Sequence, residues 1–523
     1  MKKSNRILLF PIMLLLLSSC EGLLEKNPIS DIPTTDMWKS QDDATAWIAG
    51  TYDGLQTTFQ SNFWIWGEIR ADNFRSTGTS TTSARILGNT ISADDASTTT
   101  QVNWSDLYTV ISRCNSGIKN LPIMISQNIG GGSSTYKDYL GQCYGLRAMM
   151  YFYGIRVWGR MPLIVTPIET ANQSNFARDS INLCKKQILS DLNNAINDLN
   201  TTDKKYYFSL GAAYALKADV HMWFHEFDSA YVAITNLENL KLYSWVTNST
   251  DWKSIFLTPE TSKEAIFSLY FNSLQDIKGN SYGALFAPNG NTASYTLSGD
   301  MYQILINHNV AGQSYDARHA LCIDTLSAPT ASTYTPLTST SAFAFCKFYP
   351  WDKTFKRTAD IRLGGFVIDP GAQCNAKTPL IRYADVMLMK AEILCRRGSY
   401  QSALDIVNLV RKRVGYKVVL LSSFTNPAVD VFNCIMDERR VELLCEGKRW
   451  FDIIRAGSTY DSVNEKPSYE YLHQVMDPVM SIQRPTGNSF TGVNEGRVLF
   501  PINSKAFSAN PLLRGDQNPP YSE

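Results

Sequence analysis

Acidic and basic side chains alternate along the stretch 437–457, Asp-Glu-Arg-Arg-Val-Glu-Leu-Leu-Cys-Glu-Gly-Lys-Arg-Trp-Phe-Asp-Ile-Ile-Arg-Ala-Gly. Carboxylates set beside arginines are the material of general acid–base chemistry. Here, however, Glu438, Glu442, Glu446, Arg449 and Asp452 follow at steps of three or four, while Val441, Leu444, Trp450, Phe451 and Ile454 tend to one side. That spacing puts opposite charges within reach along a helix beside an apolar face. The stretch is therefore expected to be an amphipathic helix. Its Glu438, Arg439, Glu442, Arg449 and Asp452 should lock helices together and touch no ligand.

Two other arrangements are candidates for catalysis. Gly279-Asn280-Ser281-Tyr282-Gly283 matches the Gly-x-Ser-x-Gly nucleophile elbow, which needs a strand running straight into the turn and a helix leaving it. The polar segment 273–278 separates Ser281 from the candidate strand at 265–271, and no repeating strand–helix pattern surrounds it, so a flexible loop is the better reading. His221 and His225 stand at i and i+4, able to grip one metal from a single helix face. A metalloprotease places Glu directly after the first His, where this chain has Met222, and the helix fills the interior of a repeat. Both histidines are read as hydrogen-bonded structural residues. No Walker loop, Rossmann fingerprint or EF-hand pattern is present, and the 5 His are spread widely. No enzyme activity, cofactor or metal is expected; a hydrolase using Ser281 or the His221/His225 pair stands as the last alternative.

The elements that must position these residues belong to a chain of 523 residues, 44% of them apolar, with 49 basic against 48 acidic side chains. That length can bury a large core. A net charge of +1 gives no electrostatic reason to expect nucleic acid as a partner. At the N-terminus Lys2, Lys3 and Arg6 precede an apolar run, 7–17, that is too short to span a bilayer comfortably. It ends in Leu17-Ser18-Ser19-Cys20, the pattern of a bacterial lipobox. The expectation is a signal peptide at 1–19, a lipidated Cys20, a tether at 20–34 and a soluble body held to the membrane by its anchor, without a transmembrane helix. The other cysteines form no Cys-x-x-Cys; Cys395, Cys434 and Cys445 read as small buried hydrophobes.

Beyond the tether, residues 35–523 read as one mostly α domain. A helix capped by Thr35 or Asp36 runs through Trp38, Ala46, Ile48 and Tyr52, and others follow at 104–121, 137–158 and 180–199. The Ser/Thr-rich segment 76–100 reads as a long exposed loop inserted in this N-terminal helical part, 35–246. Ala218 is followed by Phe227 and Ala230, and Ala391 by Tyr400 and Ala403, at the same intervals. Small, aromatic, small at that spacing matches the contact positions of a tetratricopeptide hairpin, whose repeat is about 34 residues. Between the two copies, 247–379 is a loop-rich insertion, with a strand at 265–271, loops at 280–300 and 325–342 and a strand pair within 357–369. The C-terminal helical part and tail occupy 380–523.

Five segments together resemble the SusD/RagB family, outer-membrane nutrient-binding lipoproteins of Bacteroidetes. They are the lipobox; the order Glu438-Arg439, Glu442, Glu446-Gly447-Lys448-Arg449, Asp452; the helix start Arg382-Tyr383-Ala384-Asp385; Leu146-Arg147-Ala148 with Trp158-Gly159-Arg160-Met161-Pro162; and the tail from Asn510-Pro511 to Gln517-Asn518-Pro519-Pro520-Tyr521. Pro520 stands where that family usually has Gly, and Asn503 and Lys505 replace a usual Pro and Glu. The resemblance implies a tetratricopeptide-like scaffold of four repeat units with a variable looped face. It also implies an outer-membrane location facing the cell exterior and a SusC-like TonB-dependent transporter as partner. The ligand implied is a nutrient, most often a glycan. A peptide-binding member, or a non-catalytic scaffold that docks the transporter, are the alternatives.

A pyranose presents C–H groups on its faces and hydroxyls at its rim, so its site needs flat aromatics and polar forks. Trp64, Trp66, Asp72, Asn73 and Arg75 offer that mixture before the long loop, and Tyr282, Tyr295 and Trp351 offer it from the insertion. These eight are the expected ligand contacts.

Overall fold

The computed structural model describes residues 37–522 except 79, 95–98, 171–173, 273–278, 287–293, 309–315, 323–344, 346, 349–361, 364–365 and 368–375. Cys20, the tether, the segment 325–342 and Trp351 lie outside the described residues.

Eight helices make four antiparallel pairs in series. They are α1 (Gln41–Phe59) with α2 (Ser105–Ser126), α3 (Ser133–Trp158) with α4 (Ile181–Asp198), α5 (Leu210–Trp223) with α6 (Phe227–Asn239), and α7 (Tyr383–Arg396) with α8 (Tyr400–Arg413). Contacts of α2 with α3, α4 with α5 and α6 with α7 join the pairs into one array. The last two pairs carry the spacing seen in the sequence. Phe227 and Tyr400 are the first residues of their helices, and Ala218, Ala230, Ala391 and Ala403 are fully buried where the helices meet. The first helix starts later than expected. Ser40 accepts a hydrogen bond from the Asp43 N–H at 3.1 Å while the Asp43 carboxylate accepts from the Ser40 N–H at 2.8 Å, a reciprocal capping box that excludes Trp38, at φ 74°, from the helix.

Short antiparallel strands tie the inserted segments to this array. Strand β1 (Phe74–Ser76) pairs with β3 (Tyr295–Leu297), and β2 (Ala265–Leu269) pairs with β4 (Thr378–Arg382). The strand pair expected within 357–369 is present at Arg362–Leu363 and Phe366–Val367. The segment 76–100 is not one exposed loop. Thr81–Leu87 is a helix capped by the Ser80 hydroxyl, and Ile86, Leu87 and Ile91 are buried beneath it. Likewise 280–300 contains a helical turn, Tyr282–Phe286, strand β3 and the start of the helix Gly299–Asn307. In both segments a few apolar residues among many Ser, Thr and Gly supply the burial that composition alone conceals.

The stretch 437–457 departs from expectation in one respect. It is two helices, α9 (Pro427–Glu442) and α10 (Arg449–Arg455), joined by a turn in which Cys445 and Gly447 have φ of 66° and 67°. The turn is pressed against the helical segment before β1: a Cβ on Gly67 would run into the Gly447 carbonyl, and one on Gly447 into Phe63. Only glycines permit that backbone-to-backbone approach. Trp64 donates its indole N–H to the Cys445 carbonyl at 3.0 Å, and the Cys445 N–H donates to Glu68 at 3.1 Å. Further on, α11 (Glu470–Pro478) runs into the turn Val479–Gln483, and α12 (Ser504–Ala509) precedes the tail. Asn518 closes the tail onto the end of α3 by donating to the Trp158 and Phe500 carbonyls, each at 2.8 Å, while Asp516 accepts from Arg178. Among the described residues no helix is long and apolar enough to cross a membrane.

Candidate ligand-binding pocket

The charged residues of α9 and α10 point in two directions. One set turns inward. Glu442 accepts from the Trp252 indole at 2.9 Å, from Arg382 at 2.8 Å and from Arg318 at 2.9 Å, and Arg413 completes its shell. Arg318 also reaches Glu438 at 2.7 Å and Asp316 at 2.8 Å, Arg411 reaches Glu438 at 2.7 Å, and Arg382 reaches Glu446 at 2.6 Å and Glu264 at 2.8 Å. Nearby, Arg439 bridges Asp385 and Asp452 at 2.8 Å each, and Arg455 bridges Asp452 and Glu392 at 2.7 Å each. Burial alone would push such carboxyls up. For Glu392 the charges of Arg455 and Arg396 outweigh it and hold the group down to about 2. Against the same opposition, Arg413, Arg382 and Arg318 hold Glu442 well below the usual carboxylate range. With Glu438 and Glu442 at most 1% exposed, these carboxylates have no access to a substrate; their role is to join α7, α8, α9, α10 and the inserted segments.

The other set turns outward. Arg449 forks onto Asp72 with hydrogen bonds of 2.8 and 2.9 Å, and Arg440 reaches the same carboxylate at 3.0 Å and the Asn73 side-chain oxygen at 2.8 Å. Burial opposes the Asp72 charge, but Arg440 and Arg449 hold it well below its ordinary range. Asp72, Arg440 and Arg449 form the floor of an open cavity of about 700 Å³, whose walls include Arg75, Asp300, Tyr471 and Gln474. Pairing of β1 with β3 sets Arg75 opposite Thr296. Ser298, hydrogen-bonded to the Asp72 carbonyl at 2.7 Å, caps the helix that carries Asp300. Gln483 donates to Asp300 at 2.6 Å across the rim, beside a well-exposed Ile482. The Arg449 Nη1 is buried without a hydrogen-bond partner among the described residues. A volume of this size, with a few convergent polar groups, suits a small ligand or the end of a longer one.

The expected contact residues divide accordingly. Trp64 and Trp66 are core, at 0% and 2% exposure, their indoles spent on the Cys445 and Gln101 carbonyls. Tyr282 is fully buried and donates to the Phe345 carbonyl at 2.8 Å, and Tyr295 is packed under Phe286. None of these four presents a face to a sugar, because an apolar run beside a glycine contact is drawn into the core. Asp72 and Asn73 are buried too, but they hold Arg449 and Arg440 and so shape the pocket floor from below. Arg75 lines the pocket. Arg449, expected to touch no ligand, lines it as well. Sequence reasoning missed Arg440, Asp300, Tyr471 and Gln474. The adjacent arginines 439 and 440 necessarily project from different faces of α9, which is a signal that one faces outward.

The catalytic alternatives lack the geometry their chemistry needs. The Ser281 N–H donates to the Gln60 carbonyl at 2.8 Å, and β2 ends well before the motif. His221 pairs with Glu226 at 2.7 Å, whereas His225 hydrogen-bonds the Arg455 carbonyl at 2.9 Å, so the two imidazoles serve separate partners. Among the described residues no group of His, Cys, Asp and Glu is placed to hold a metal.

Two family models match the chain: one described as the SusD family over residues 370–521, the other as starch-binding, associating with the outer membrane, over residues 23–222. The second takes in α1 to α4, and the first takes in α7 to α12 with both sets of charged residues. The chain is SusD-like. SusD-like protein P38 of Formosa agariphila is 28% identical over 563 aligned positions that span 100% of both chains, and SusD-like protein P2 of the same organism is 24% identical over 85% of this chain and 89% of its own. Solved structures share the fold. A SusD superfamily protein from Bacteroides vulgatus superposes with a TM-score of 0.73 at 20% identity, covering 91% of this chain and 98% of its own. A laminarin-binding SusD-like protein gives 0.69 at 22% identity, over 92% of this chain and 100% of its own. B. fragilis NanU gives 0.68 at 20% identity, over 95% and 100%. The SusD-like helical scaffold is thus shared with these proteins.

Proposed function

We propose that this SusD-like protein is a lipid-anchored surface protein, attached through Cys20, that captures a glycan and delivers it to a TonB-dependent outer-membrane transporter. The observation that carries the reading is the open pocket over Asp72, of about 700 Å³, whose arginine forks are held from beneath by a buried carboxylate. Held in that way beside Arg449, Arg440 is fixed at the pocket floor and reaches a ligand without the cost of ordering its side chain. Arg75 and Gln474 add donors that match sugar hydroxyls. Support for a glycan comes from the family description as starch-binding and from the laminarin-binding neighbour. The charged floor also suits the carboxylate of a peptide, and this is the second reading. Catalysis is no part of the proposal.

The test is calorimetric titration of the purified protein with soluble starch, laminarin, other neutral and acidic polysaccharides, and short peptides. Binding of a polysaccharide that weakens in Arg75→Ala and Gln474→Ala supports the reading. Binding confined to peptides selects the second, and turnover of any bound polysaccharide overturns the non-catalytic assignment. For delivery, a strain carrying Arg75→Ala should take up that polysaccharide more slowly at unchanged surface abundance.

A further inference from the structure

A second groove, of about 620 Å³, opens between the first half of α2 and α12 and shares no residue with the pocket over Asp72. Its floor is aromatic. Trp104 and Tyr108, one helical turn apart, meet edge to face at 5.9 Å, and Trp104 meets Trp158 edge-on at 6.0 Å. Both rings keep part of their surface in solvent, yet neither is free to swing: Trp104 packs against the cluster Ile502, Phe507 and Leu513, and the Tyr108 hydroxyl donates to the Pro162 carbonyl at 2.7 Å. Ser105, Thr109 and Ser112, at steps of four and three, place a row of exposed hydroxyls along α2 beside these rings. The facing wall is Ala506 and Ala509 of α12, side chains too small to close the gap. Among the described residues no carboxylate lines the groove. Its cations are Lys505 and Arg113, of which Arg113 is engaged with the Gly50 carbonyl and lies 3.9 Å from Asp53.

We propose that this groove is a second carbohydrate-contact site, taking a neutral, pyranose-containing oligosaccharide, with Trp104 as the stacking platform and the hydroxyl row as its rim. The inference rests on the glycan-binding reading above and deepens it. An indole face held by packing offers large contact area at little entropic cost, and hydroxyls at its edge satisfy those of the sugar ring. The pocket over Asp72 has charged donors and little open aromatic surface; the groove has the reverse. Two contacts of different chemistry on one rigid body favour a long polymer over a short fragment, since the second contact forms intramolecularly.

The test uses purified protein labelled with 15N-tryptophan, with the Trp104 indole resonance assigned by its loss in Trp104→Phe. Maltoheptaose, laminarihexaose, cellohexaose and xylohexaose are titrated in turn, and pentaalanine serves as a peptide probe. At least one oligosaccharide should shift the Trp104 resonance. Ala509→Arg, at an exposed position, should raise the Kd read from that shift roughly tenfold by filling the groove, equivalent to about 1.4 kcal/mol. Arg75→Ala should leave it in place. The groove proposal is overturned alone if an oligosaccharide binds in an Arg75-dependent manner while the Trp104 resonance stays still, if Ala509→Arg leaves the shift unchanged, or if only pentaalanine moves it. If no oligosaccharide binds at either place, the proposal and the glycan reading fail together.

Discussion

Glu442 and Arg449 stand on one short stretch of chain, are both buried, and meet opposite fates. Around Glu442 the packing encloses the charge, with Arg318, Arg382, Arg413 and the Trp252 indole converging on one carboxylate. Around Arg449 the shell is thinner. Asp72 takes its fork, and the residue lies at the floor of an open cavity beside Tyr471. Residue type does not separate the two regions, since both are arginines and carboxylates at low exposure. What separates them is whether an open cavity adjoins the network. A network enclosed by packed elements specifies packing, and one at the floor of a cavity is placed to meet a ligand.

The largest expected effect is at the closed network. Glu442→Ala leaves Arg318, Arg382 and Arg413 buried around a missing charge and should cost about 3–5 kcal/mol in denaturant unfolding, with the ligand affinity of the surviving folded protein unchanged. A selective loss of affinity would break the comparison. The network should also be acid-sensitive in a definite window. Glu392 is held down to about 2, so its contribution is present above the ordinary glutamate range and is lost as pH falls through the folded value. Glu392→Gln should therefore narrow the gap in stability between pH 7 and pH 2, measured by thermal unfolding.

Glu68 sharpens the contrast, because it lies between the two regions with one oxygen hydrogen-bonded to Asn73 and Cys445 and the other without a partner among the described residues. Burial pushes its carboxyl up to about 7, against those hydrogen bonds. For a raised carboxyl, the stability is fully present below the unfolded value and is lost as pH rises towards the folded one. Glu68→Gln keeps the accepting oxygen and removes the charge. It should raise stability by about 3 kcal/mol above pH 7 and leave it little changed near pH 4, as read from chemical denaturation at both pH values.

Smaller effects belong to the open region. Arg75→Ala should weaken ligand binding roughly tenfold while changing stability by no more than about 0.5 kcal/mol, measured by calorimetry and thermal melting of the same sample. Smallest is Ser281→Ala, which should alter neither binding nor stability measurably; loss of a hydrolytic activity in that variant would reopen the catalytic alternative.

Legibility followed loop length and closure. The helix pairs at Ala218–Phe227–Ala230 and Ala391–Tyr400–Ala403 were readable because only three residues, 224–226 and 397–399, separate their helices, which preserves the interval between contact positions. The first two pairs carry the same architecture, but residues 60–104 and 159–180 intervene and erase any fixed spacing. The aromatic segment was misread for a related reason. Trp64 and Trp66 look like a platform when read alone, and become core only because Gly67 meets Gly447 backbone to backbone across the fold. Nothing local announces that contact. Of the candidate site, Asp72, Asn73 and Arg75 were legible as a polar cluster, whereas Tyr471, Gln474 and Asp300 come from segments whose only link to it is spatial.

The helical frame, the SusD-like pattern of motifs and the placing of Glu438 and Glu442 on a helix face are legible in the chain of residues alone, because helical periodicity and short-range spacing are local properties that survive in a string of letters. Tertiary structure alone decided which arginine of the stretch 437–457 is sealed and which faces the cavity. That choice depends on what lies opposite each guanidinium, and the partners Asp72, Asp385 and Glu392 are brought there from distant parts of the chain by the packing of helices the sequence could predict only one at a time.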